Sequence, residues 1–109
     1  MKSIVLSLCL LAAACGPRWI PEATDADAER AAAQFPGTTT ASLNQGRSLL
    51  LTRCAACHQP PSPADHTAAV WPGEVQEMRE RAKLTVDEAA LVERYLATFA
   101  KDQPRTSSR

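Results

Sequence analysis

The spacing of apolar residues changes several times along the chain, and each spacing predicts a different element. Ile4 to Ala14 is apolar apart from Ser7, a run too short to cross a bilayer as a helix. Asp25 to Gln34 is alanine-rich, opens with acids and is stopped by Phe35-Pro36-Gly37, which predicts a short helix. From Ser42 the residues Leu43, Gly46, Leu50, Cys54 and Cys57 recur at helical spacing, and Ser42 with Gln45 fits a capping box. This helix ends by His58, because Pro60, Pro61 and Pro63 forbid its continuation. Trp71, Val75, Met78 and Ala82 share one face of a second helix over Pro72 to Lys83, beginning as early as Thr67. A third helix starts at the N-cap Thr85, with Glu88 closing its box, and carries a stripe of Leu91, Val92, Tyr95, Leu96 and Phe99 up to Ala100. No stretch alternates with the period of a strand, so the expected fold class is all-α with three main helices.

Composition narrows the class. A chain of 109 residues allows one small domain. Twelve basic against twelve acidic residues, a formal net charge of +0, exclude the basic excess of a nucleic-acid binder. A domain this small buries only part of its surface and gains from a staple, a metal or a cofactor.

The apolar start reads as an address. Lys2 supplies the positive charge, Ile4 to Ala14 the apolar core of a signal peptide over 1–14. Leu11-Ala12-Ala13-Ala14-Cys15 resembles the lipobox of bacterial lipoproteins, with Ala12 where Leu is usual. That resemblance implies a lipid on Cys15, a membrane anchor and a periplasmic location. Gly16 in place of an Asp points to the outer membrane. The alternative is a plain secretory signal cut after Ala14, which also exports the chain. Residues 15–41 then form a tether, or a wrap around the domain, with a possible short helix, and its Trp19, Ile20 and Phe35 are placed to dock on that domain. Residues 42–100 form the domain proper, and 101–109 a polar, frayed tail.

Two cysteines remain for chemistry, Cys54 and Cys57, and Cys54-Ala55-Ala56-Cys57-His58 is the attachment pattern of a c-type haem. Two thiols at i and i+3 on one helical face can both add to the vinyl groups along one porphyrin edge, and the next residue brings its imidazole to the iron. A thiol–disulfide oxidoreductase would place its Cys-x-x-Cys in a βαβ context. A zinc site would need further Cys or His ligands, and only His66 is left beyond the motif.

The flanks carry a family resemblance. Gly46-Arg47-x-x-Leu50 ahead of Cys54-x-x-Cys57-His58, with Tyr95-Leu96 near the end of the last helix, resembles class I cytochrome c over roughly 43–100. The resemblance implies a fold of three main helices around one covalent haem c. It makes His58 the proximal iron ligand and crosses the first and last helices closely at Gly46 and Tyr95. It also gives His58 a proline carbonyl as ring acceptor, for which Pro60 or Pro61 is available. The stretch between His58 and Thr85 is short for that family.

Met78 is the only Met beyond the signal and His66 the only other His, so these are the axial candidates. Met78 shares a face with Trp71 and Val75, and His66, among Pro and polar residues, reads as a surface residue. The readings are Met78 as distal iron ligand, Met78 as packing beside an open iron, and His66 as ligand. Trp71 is expected to pack on the ring or reach a propionate. Arg47, Arg53 and Lys83 read as propionate partners or as ordinary solvated charges. The function implied is a membrane-anchored single-haem electron carrier, not an enzyme, working between redox protein partners. The alternatives are a peroxidase-like haem enzyme, or a haem-based sensor or subunit docking on a dehydrogenase or oxidase.

Overall fold

The computed structural model describes residues 18–54 and 59–105. The fold is all-α: the described residues form four α-helices and one 3-10 turn, with no strand among them. The helices are α1 (Asp25–Ala32), α2 (Thr40–Arg53), α3 (Trp71–Met78) and α4 (Val86–Thr98), and the 3-10 turn is Pro63–Asp65. The crossing of α2 and α4 is the centre of the molecule; α3 packs on α4, and α1 covers both α2 and α4.

Each of three helices starts on a reciprocal side-chain cap. Thr24 and Asp27 open α1, Thr39 and Ser42 open α2, and Thr85 and Glu88 open α4. Ser62 and Asp65 form the same arrangement at the 3-10 turn. In each, a hydroxyl takes an orphan N–H three residues on, and the partner side chain takes the N–H of the cap residue itself. The start of α2 differs from the expected Ser42–Gln45 box. Gly37 turns the chain at φ 85, which leaves Thr39 as the extended residue before the helix. Ser42 therefore serves as the third helical residue, its hydroxyl accepting from Thr39 N at 2.9 Å.

Regular helix in α3 ends at Met78, short of the expected Lys83. The chain continues in turns that close on themselves. Leu84 N donates to Arg79 O at 3.0 Å and Lys83 N to Glu80 O at 3.2 Å, with Lys83 left-handed at φ 54. This is the helix-ending geometry that glycine usually serves, here built on a lysine. It delivers the chain directly to the Thr85 cap.

Leu43 and Leu50 on α2, Trp71 and Val75 on α3, and Val92, Tyr95 and Leu96 on α4 are fully buried. Gly46 lets the crossing close: a Cβ there would overlap the Leu91 carbonyl oxygen and lie 2.9 Å from its carbon and 3.0 Å from Tyr95 Cβ. Of the residues expected as a tether or wrap, the described ones, 18–41, lie on this body. Ala23, Ala28 and Ala31 join the core, with Trp19 and Ile20 packed against it. Asp27, wholly buried, accepts from Thr24 N and Thr24 Oγ1 at 2.9 Å each and pairs with Arg30 at 3.3 Å. Arg30 in turn donates to Thr98 O at 2.8 Å, which fastens α1 to the end of α4.

Residues 101–105, expected to fray, are also held. Lys101 N donates to His66 O and Asp102 Oδ1 accepts from Ala68 N, both at 2.9 Å. The Arg105 guanidinium sits 4.7 Å from the Trp19 ring centroid.

Candidate functional site

Cys54 caps the C-terminal end of α2 in helical conformation, one residue past Arg53. Its position one turn beyond Leu50 puts it on the inner face of the helix, and it is only 6% exposed. Burial pushes its thiol above the ordinary value, so it stays protonated and apolar in this setting. Cys54, Trp71, Val75 and Leu84 belong to one buried cluster. Cys57 and His58 lie outside the described residues, as do Cys15 and the signal segment 1–14.

Across the connector, Trp71 opens α3 and is 1% exposed. Its indole Nε1 donates to Pro63 O at 3.0 Å. Of the two roles expected for Trp71, the donor is therefore engaged within the chain, and packing is what the ring offers. Met78 ends α3 two turns later on the same face, half-buried. His66 departs from its expected surface position. It is half-buried, with its ring edge-on to Trp71 at 4.8 Å between centroids, because the Lys101 bond to its carbonyl draws the connector onto the body.

The basic residues are engaged as well. Arg47 Nε donates to Ile20 O at 2.9 Å, and Arg53 donates to Lys83 O at 2.9 Å and pairs with Glu88 at 3.5 Å. Glu88 is held below the usual carboxylate range chiefly by the Thr85 backbone N–H. Among the described residues, no group of three or more His, Cys, Asp or Glu is placed to hold a metal ion. No helix among them is long and apolar enough to cross a membrane.

Sequence reasoning missed how the connector after His58 is fixed. Arg18 pairs with Asp65 at 2.9 Å and donates to Gln59 Oε1 at 3.3 Å. Ser62 Oγ donates to Trp19 O at 2.8 Å, while Ser62 N donates back to Asp65 Oδ2 at 3.1 Å. The Ser62-x-x-Asp65 pattern was a legible cap signal; the partners Arg18 and Trp19, more than forty residues away, left no local trace.

No protein-family model, curated protein or solved structure matches the chain.

Proposed function

We propose that the chain is a lipid-anchored, single-haem electron carrier of the c type, exported to the periplasm and held at a membrane through Cys15. The observation that carries this reading is the Cys54-Ala55-Ala56-Cys57-His58 motif in the sequence, whose first residue, Cys54, caps the end of α2 and is buried. The described residues fit such a group. A thiol sits among apolar neighbours at a helix end, and a thioether lies on the face of α3 that buries Trp71 and Val75.

Cys54 and Cys57 would hold the haem by thioether bonds, each thiol adding across one vinyl group. His58 would be the proximal iron ligand and Met78 the distal one. The haem supplies one-electron transfer between ferric and ferrous iron. The chain would contribute orientation and exclusion of water through Trp71, Val75 and Leu84, which are buried in one cluster with Cys54, the Trp71 indole being fixed by Pro63. Met78 would bring a neutral sulfur ligand, which would raise the reduction potential relative to a second imidazole. Arg47 and Arg53, engaged with backbone carbonyls and acids of the chain, act first as struts of the body.

The test is purification of the exported chain from a host competent in haem attachment, followed by intact-mass analysis and spectroscopy. The expected mass is the lipidated polypeptide plus one haem. The ferric form should show a sulfur–iron charge-transfer band that Met78→Ala abolishes. An apoprotein mass refutes the haem, and a band that is absent or survives the substitution refutes Met78 as ligand.

A further inference from the structure

Residues 18–23, which lead into the body, are bonded to it at almost every residue. Arg18 reaches Asp65 and Gln59. The carbonyl of Trp19 accepts from Ser62 Oγ at 2.8 Å, that of Ile20 from Arg47 Nε at 2.9 Å, and that of Pro21 from Tyr95 Oη at 2.6 Å. Ala23 exchanges two hydrogen bonds with the Asn44 side chain, at 2.8 and 3.2 Å. The donors and acceptors come from α2, α4 and the connector, so consecutive carbonyls of an extended strap are read by three separate parts of the fold. A flexible tether has its backbone solvated instead.

The strap's bonds begin at Arg18, the first described residue. Only Gly16 and Pro17 separate Cys15 from Arg18. Fully extended, three residue steps span about 11 Å. Arg18 is also the point at which the strap meets the connector that follows His58, through Gln59 and Asp65.

From this we infer that the 59–66 end of the body is clamped against the lipid headgroups, with the strap as the clamp. The inference rests on the proposed lipid at Cys15 and adds to it a fixed height and a fixed facing. The redox centre is then presented low over the membrane, toward a partner bound in or on that same bilayer.

Amide hydrogen exchange on the full lipidated holoprotein tests this, using vesicles of phosphatidylethanolamine and phosphatidylglycerol. Three chains are compared: the native sequence, a chain with twelve Gly/Ser residues inserted between Pro17 and Arg18, and the soluble Cys15→Ser variant. The insertion leaves every strap bond in place and lengthens only the stretch between Cys15 and Arg18, adding a typical span of about 20 Å. Amides of 59–66 should exchange several-fold more slowly in the native chain on vesicles than in Cys15→Ser, and the insertion should erase that difference. Equal exchange in native and soluble chains overturns the clamp while leaving the anchor intact. Slow exchange that survives the insertion also overturns it, since the body would then adhere by its own surface. A native chain that fractionates as soluble overturns the lipid reading and this placement together.

Discussion

Gly46 and Gly73 are both helical glycines, and they should respond to alanine with opposite signs. At Gly73 an added Cβ meets nothing within 4 Å. Only the backbone preference changes there, and it favours Ala by about 0.8–1.0 kcal/mol in a helix interior. At Gly46 the same Cβ overlaps the Leu91 carbonyl oxygen and lies 2.9 Å from its carbon. Those atoms are backbone of α4 and cannot rotate aside, so the two helices must part. A buried leucine makes about 40–60 contacts of about 0.1–0.2 kcal/mol each. Leu43 and Leu50 flank Gly46 on α2, both fully buried. If about a quarter of their contacts reach α4, the crossing holds roughly 4 kcal/mol of dispersion, and a gap of about 0.5–1 Å forfeits a quarter to a half of it. Residual strain brings the cost to about 2–3 kcal/mol, within the usual range for overpacking. After the propensity gain, Gly46→Ala should lose about 1–2 kcal/mol. For a domain of this size that lowers Tm by about 5–15 °C, whereas Gly73→Ala should raise it by a few degrees. Thermal unfolding of the exported protein, followed by far-ultraviolet circular dichroism, measures both. A Gly46→Ala protein as stable as the parent, or a matched shift at the two positions, would refute the close crossing.

Tyr95, the single tyrosine of the chain, has a phenol that burial pushes far above its ordinary value, against the opposing pull of the Arg47 guanidinium. The folded state thus keeps a proton that the unfolded state releases first. Stability from this source is complete below about pH 10 and falls by up to about 1.4 kcal/mol per pH unit above it. Tyr95→Phe should flatten that alkaline slope in urea titrations, and at neutral pH it should cost about 1 kcal/mol for the lost bond to Pro21; an unchanged slope would contradict the buried phenol. Lys83→Gly should stabilise by about 0.5–1 kcal/mol, because glycine takes the left-handed position without penalty, while Lys83→Ala should leave Tm nearly unmoved; equal effects would mean that the backbone there is unstrained.

The helical rhythm and one set of end signals were legible in the chain. Thr85-x-x-Glu88 marked the start of α4, and the Phe35-Pro36-Gly37 stop marked the end of α1 to within a few residues. The start of α2 was misplaced because two overlapping hydroxyl patterns compete there, and the tertiary turn at Gly37 selects Thr39 over Ser42. The end of α3 was misplaced because Ala82 continues the apolar spacing of Trp71, Val75 and Met78, while the chain leaves regular helix at Met78 and turns back through a left-handed Lys83. At the candidate site, the place of Cys54 on the inner face of α2 and the shared face of Trp71, Val75 and Met78 could be read from spacing alone. The carbonyl partner of the Trp71 indole and the seating of His66 against that ring could not. Nor could the strap, since its bonds join backbone carbonyls to side chains far away in sequence, and a carbonyl carries no residue-type signature.

The four reciprocal caps have a consequence for the order of events in biogenesis. Each is closed within three residues of its own start, so none waits for a distant part of the chain. Nascent helix ends can therefore form on the microsecond scale of local chain motion. The α2–α4 crossing, by contrast, joins segments on either side of the connector and closes only when the whole body collapses. Cys54 becomes inaccessible in that second step, as its 6% exposure records. Any reaction at its sulfur belongs to the interval between the two, when the start of α2 is already defined and its inner face is still open.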